Sequence, residues 1–188
     1  KVMAVLKANA YGHGLIEAAR ALNAAEGFSV LTLSEAIELR EHGFTQYILL
    51  LEGFFEPYEV KVCSHMGIGA VIHHAEQINY INQIKPAKPI DVHLKINTGM
   101  NRLGFDENEY REAVKCFNLE KENVDLLLSH LAASENSELK KNLHQLDIFK
   151  KLSKLLPRAK RSIANSHGIA LGKAFHLDLV RPGLSLYI

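Results

Sequence analysis

The chain alternates two kinds of apolar pattern. Short runs of aliphatic and β-branched residues at 2–6, 28–33, 47–51, 70–72, 90–96, 124–131, 162–164 and 177–180 predict eight strands. Between them, the segments 15–25, 34–42, 57–65, 75–84, 108–117 and 137–156 place apolar residues three and four apart, as in "LIEAARAL" and "LHQLDIFKKLSKLL", and predict helices. A last interval near 169–173 is short and weakly patterned. Polar and turn-forming residues mark the joints: Ser34 is expected to cap the helix beginning there, Gly43 to follow it at C′, and Pro57 to sit in a first turn, where its missing N–H costs nothing.

This alternation is the signature of an α/β domain. Eight strands with helical crossovers predict a closed (β/α)8 barrel of the TIM type, with its site on the loops at the C-terminal ends of the strands. An open doubly wound sheet is the competing arrangement. With 188 residues the chain is short of the roughly 250 usual for such a barrel, and it starts in a strand with Lys1 and no initiator methionine. The expectation is one domain over 1–188, truncated at both ends and cut from a longer chain. "KPAKP" (85–89) is a local turn and not a domain boundary.

Composition changes the picture little. A 47% share of hydrophobic residues supports a sizeable core, while 22 basic against 21 acidic residues leave no electrostatic case for nucleic acid or an anionic membrane. No apolar run approaches the roughly 20 residues of a membrane span, and Lys7 cuts the first run too short for a signal peptide. Two cysteines, Cys63 and Cys116, make no disulfide framework and point to a reducing compartment, the cytoplasm.

On this reading the strand ends bring Lys7, Ser34, Glu52, His73, His74, Lys95, Asn97, His130, Asn165, Ser166 and Arg181 toward one mouth. Clustered lysine and arginine repel a divalent ion, so no metal is expected. The same set suits an anionic small ligand such as a phosphorylated cofactor. Burial at the end of an apolar strand disfavours an ammonium and frees the amine to form a Schiff base with an aldehyde. "CSH" (63–65) and "HH" (73–74) lack the spacing of a zinc site, and "GIGA" (67–70) reads as a turn.

"VLKANAYGHG" (5–14) resembles the pyridoxal-phosphate motif of alanine racemases. "KINTGMNRLGF" (95–105), "SHLAAS" (129–134), "IANSHG" (163–168) and "LVRPGLSLY" (179–187) follow in that family's order, so the resemblance covers nearly the whole chain. It implies a pyridoxal 5'-phosphate cofactor held covalently by Lys7, which also serves as base or acid on one face of the substrate α-carbon. It implies that Tyr11, Ser166 and the backbone N–H groups of Gly183 and Leu184 bind the phosphate, with Asn165 behind them as support. Arg181 would face the pyridine nitrogen, His130 would pack near the ring and contact the ring-binding arginine, and Arg102 would meet the cofactor phenolic oxygen and the substrate carboxylate. Lys95 matches a lysine that is carbamylated in many members. His13 is read as part of the turn, and Asn97 and Asn101 depart from the commoner family residues.

An arginine stays protonated opposite the ring nitrogen, which weakens the ring as an electron sink and favours racemisation over transamination. The implied activity is interconversion of L- and D-alanine, supplying D-alanine for bacterial peptidoglycan. The implied assembly is a homodimer whose second base, a tyrosine, comes from the partner's C-terminal β-domain. Another pyridoxal-phosphate barrel racemase or decarboxylase is one alternative, and a non-catalytic cofactor-binding module is another.

Overall fold

The apolar runs form seven parallel strands, hydrogen-bonded in chain order: β1 (Met3–Val5), β2 (Gly27–Val30), β3 (Tyr47–Leu50), β4 (Ile68–Ile72), β5 (Val92–Lys95), β6 (Val124–Leu128) and β7 (Lys160–Ser162). A computed structural model describes residues 1–116, 124–136 and 139–188 of the chain. The eighth predicted strand, 177–180, forms no ladder, yet its segment joins the two sheet edges. The Asp178 and Arg181 N–H groups donate to the Arg161 and Ala164 carbonyls, while Met3 and Val5 donate to Val180 and Pro182. Pro182 has no N–H to give, so the stave is a bridge and not a ladder, and the sheet closes through it.

Closure buries both faces of β1, β2, β4 and β5 throughout, and of the other strands except near their starts. Met3, Leu49, Val71, Leu126, Leu128 and Leu179 fill the barrel, while alternate residues such as Phe28, Ile48 and Leu50 pack outward. The outer layer is α2 (Leu15–Ala21), α3 (Leu33–Glu41), α4 (Pro57–Met66), α5 (Ala75–Ile84), α6 (Glu107–Cys116), α7 (Leu139–Ser153) and α8 (Ser166–Ala170), followed by 3-10 turns at Lys173–Phe175 and Leu184–Leu186. Positions 117, 137 and 138 of the predicted helices lie outside the described residues. Among those described, no helix is long and apolar enough to cross a membrane.

Three local expectations are corrected. Thr32, not Ser34, caps α3, because Glu35 stands at the N3 position and completes a capping box with it. Gly69 lies inside β4 and not in a turn: the Tyr47 phenol of β3 passes over it to His93 Nε2 of β5 at 3.0 Å, and a Cβ on Gly69 would lie 1.9 Å from that hydroxyl. β7 starts two residues before the predicted run, since backbone pairing with β6 recruits Lys160 and Arg161 whatever their side chains. Gly43 at C′ (φ 84°) and Pro57 at the start of α4 stand where the sequence placed them.

Candidate active site

β1 does not run into a right-handed helix. Lys7–Tyr11, labelled α1, is a single left-handed turn in which Ala8, Asn9, Ala10 and Tyr11 all have φ between 53° and 55°. For side chains other than glycine or asparagine this costs roughly 1–2 kcal/mol per residue, so surrounding bonds must hold it. Ala10 N–H donates to the Leu6 carbonyl at 2.8 Å, Leu15 N–H to Asn9 Oδ1 at 2.7 Å, and Asn9 N–H to Glu35 Oε1 at 3.3 Å. The turn brings the Tyr11 ring centroid within 5.8 Å of Lys7 Nζ. His13 locks its exit, with Nδ1 3.0 Å from the Ala10 carbonyl and its ring stacked on Tyr187 at 4.8 Å.

Opposite Tyr11 lies the loop after the closing stave. A Cβ on Gly183 would fall 2.4 Å from the Tyr11 hydroxyl, so only glycine leaves this space open. Ser166 Oγ accepts the N–H groups of Gly183 at 2.9 Å and Ser185 at 3.2 Å. Tyr187 donates to the Val5 carbonyl at 3.2 Å and packs 5.3 Å from the Tyr11 ring, tying this loop to β1. Burial raises the pKa of Tyr11, and burial with Tyr11 beside it pushes Tyr187 up to about 12, so both phenols stay protonated donors.

The remaining groups are cations and an imidazole. Arg181 is buried; its guanidinium donates to Ser162 Oγ and, at 2.5 Å, to the Ser129 carbonyl. Burial lowers its pKa to about 10, which still leaves it charged at neutral pH. Lys95 ends β5; burial first, then the neighbouring Arg181 and Arg102, bring its amine down to about 8. The same burial and cations hold His130 down to about 3. Asn165 Oδ1 accepts Ser134 Oγ–H and Gly168 N–H, both at 2.9 Å, so its amide nitrogen faces His130 Nε2 at 3.3 Å and leaves the imidazole proton on Nδ1.

All ten site residues singled out in the sequence, namely Lys7, Tyr11, Lys95, Arg102, His130, Asn165, Ser166, Arg181, Gly183 and Leu184, line one cavity of about 270 Å³, with Glu52 beside them. Other strand-end residues turn aside. His73 Nε2 meets the Glu52 carbonyl at 3.0 Å, His74 caps α5, and Ser34 bonds Thr32 Oγ1 at 3.0 Å. Asn97 accepts the Gly99 and Asn101 N–H groups and donates Nδ2 to Asn101 Oδ1 at 3.0 Å, so the two departures from the family pattern form one turn. A larger cleft of about 910 Å³, mostly apolar, runs between α5 and α6; His73 and His74 border it but none of the ten site residues does, and the chemistry lies in the smaller cavity.

One residue behind the site went unread in the sequence. Gln145 of α7 is buried; its Nε2 reaches Thr98 Oγ1 at 3.1 Å and the His130 carbonyl at 3.0 Å, and its Oε1 accepts Ala132 N–H at 2.9 Å. A glutamine on the apolar face of "LHQLDIF" was the available signal.

Fold and site together define a (β/α)8-type barrel whose strand ends gather two amines, two guanidinium groups and neutral donors around a cavity sized for a small anion. The chain belongs to the family described as alanine racemase, N-terminal domain, whose model matches residues 1–188. It is 42% identical to the biosynthetic alanine racemase of Salmonella typhimurium over all of this chain and 52% of that protein. The alanine racemase of Aromatoleum aromaticum is 43% identical, with all of this chain and 53% of that protein covered. The chain thus spans about half the length of the curated relatives it matches. Among solved structures, biosynthetic alanine racemase from Pseudomonas aeruginosa superposes with a TM-score of 0.93 at 38% identity, over all of this chain and 52% of that one. Alanine racemase from Bartonella henselae with covalently bound pyridoxal phosphate gives 0.90 at 36%, over all of this chain and 56% of that one.

Proposed function

We propose that this chain is the cofactor-binding barrel of an alanine racemase that interconverts L- and D-alanine with pyridoxal 5'-phosphate. The observation that carries the reading is the meeting of Lys7, Tyr11 and Gly183: an amine 5.8 Å from a phenol ring, and a phenol hydroxyl against a glycine whose Cβ would fill its space. The residues suit the group. Tyr11, Ser166 and the N–H groups of Leu184 and of Gly183, the latter now given to Ser166 Oγ, would be donors for its phosphate, and Lys7 would be the amine that holds it covalently. When bound, the cofactor supplies the electron sink that lets an α-proton leave an amino acid.

Lys7 Nζ would take and return that proton on one face. Arg102 receives the substrate carboxylate in a bidentate fork that a lysine would not provide. Arg181, fixed by Ser162 and Ser129, would donate toward the ring nitrogen without surrendering its proton, which would keep the sink weak and favour return of the α-proton to the same carbon. His130 stays neutral beside the ring, oriented by Asn165. Lys95, with a pKa near 8 and two arginines as neighbours, offers a free amine to carbon dioxide; the carbamate replaces repulsion from Arg102 and Arg181 with attraction.

The second base comes, in this reading, from the C-terminal domain of a homodimer partner in the cytoplasm. The half-length match to relatives supports it, as do two cysteines that are both free.

The test follows α-proton exchange of D-alanine and L-alanine separately in heavy water, with pyridoxal phosphate added, by proton NMR. For these 188 residues, exchange is expected with D-alanine alone and should vanish in Lys7→Ala. Exchange of both enantiomers would place a second base within this chain. Exchange of neither, with cofactor bound, would leave a binding module.

A further inference from the structure

We propose that Glu35 is a positioning residue for this site. Its carboxylate clamps the left-handed turn that sets Lys7 and Tyr11 together, so it acts on cofactor binding through backbone and touches no ligand. This rests on the reading of Lys7 and Tyr11 as cofactor ligands.

The carboxylate has two separate tasks. Oε2 accepts the N–H groups of Leu31 at 3.0 Å and Thr32 at 3.1 Å, and the Glu35 N–H returns to Thr32 Oγ1 at 3.2 Å. These bonds cap α3 and would do so in any helix with this box. Oε1 does something the cap does not need: it accepts Asn9 N–H at 3.3 Å, from the middle of the left-handed turn after the neighbouring strand. Asn9 is exposed and has no core packing to hold its φ of 53°. Its conformation is held by this bond, by its own side chain, which accepts Leu15 N–H at 2.7 Å and pins the entry to α2, and by its carbonyl, which accepts the Gly12 and Gly14 N–H groups at 3.0 and 3.1 Å; of these only the Glu35 bond comes from outside residues 9–15. Glu35 therefore couples the ends of β1 and β2, and the turn it holds decides where the amine and the phenol point.

The chemistry separates the two tasks. Glutamine at position 35 can still accept Leu31 and Thr32 through its carbonyl oxygen, but it then turns an N–H2 toward the Asn9 N–H, donor against donor. Glu35→Gln thus keeps the cap and opens the clamp. Replacing an exposed turn residue by glycine lowers the cost of the left-handed conformation itself, so Ala8→Gly should compensate for a lost clamp and not for a lost cap.

Hydrogen–deuterium exchange across residues 8–14, read by mass spectrometry without cofactor, and titration with pyridoxal phosphate followed by absorbance test this on the same samples. In Glu35→Gln, exchange in 8–14 should rise about tenfold and affinity for pyridoxal phosphate should fall about tenfold, with the urea midpoint close to the unsubstituted chain. Adding Ala8→Gly should recover at least about threefold of both. Unchanged exchange would sink the clamp. Faster exchange with unchanged affinity would sink the positioning role and leave a local tie. If the unsubstituted chain fails to take up pyridoxal phosphate, the cofactor reading fails and the positioning role with it, while the exchange arm still decides the clamp.

Discussion

Gly183 shows how one missing side chain shapes the site. The Tyr11 hydroxyl occupies the space of a Cβ there, 2.4 Å from its ideal position, with the ring carbon behind it at 3.1 Å. Gly183→Ala must therefore displace Tyr11 or the loop, at a cost of roughly 1–3 kcal/mol. In a Tyr11→Phe background the closest clash is gone, and the same substitution should cost less than about 1 kcal/mol. Urea unfolding of the four chains measures this coupling, and equal costs in both backgrounds would overturn it. At this scale the reactive groups were legible, because Lys7, Arg102, His130, Ser166 and Arg181 sit in motifs that keep their order along the chain. The orienting groups were not. Asn165 was read as a support of the phosphate loop, yet its amide also aims at His130. The left-handed turn left almost no trace, since of its four residues only Asn9 tolerates that conformation well.

Among the elements, α7 does more than cover the barrel. Gln145 reaches from its buried face to the loop that carries Arg102, through Thr98, and to the loop that carries His130, through the His130 carbonyl and Ala132 N–H. Thr98 also keeps Ser129 as a partner at 2.8 Å, but the two backbone groups are left alone if the amide is removed. Gln145→Met, close in volume, should cost roughly 1–3 kcal/mol for each of those two groups. A urea midpoint that barely moves would mean that water replaces the amide and that the helix is only packing. The strands themselves were readable from their apolar runs. Their ends were not, where a glycine makes room for Tyr47 in β4 or where charged residues pair through backbone alone in β7. Periodicity reports which face is buried; it carries no information on a side chain that leans over from the neighbouring strand.

For the whole molecule, the packing of imidazoles and cations into a barrel has one thermodynamic sign. His93 is fully buried beside the Tyr47 phenol, its Nδ1 finds no hydrogen-bond partner among the described residues, and burial holds its pKa to about 3. The unfolded chain binds a proton there below about 6.5, whereas the folded chain does not until about 3, so the unfolded state gains and stability falls as pH drops through that window. At pH 5 the loss is roughly 2 kcal/mol for His93. His130, which opens onto the cavity, adds less. Lys95 has the same sign on the alkaline side: with a folded pKa near 8 against an ordinary value of 10.5, it makes stability rise between those values. A chain built this way gains from losing protons at both ends of the range. Urea unfolding at pH 7 and pH 5 should therefore differ by about 2–4 kcal/mol, and His93→Gln, which keeps a polar partner for Tyr47 and cannot titrate, should remove more than half of that difference. An equal drop in His93→Gln would assign the acid sensitivity elsewhere, and no drop in the unsubstituted chain would mean that the barrel admits a proton more easily than its packing implies.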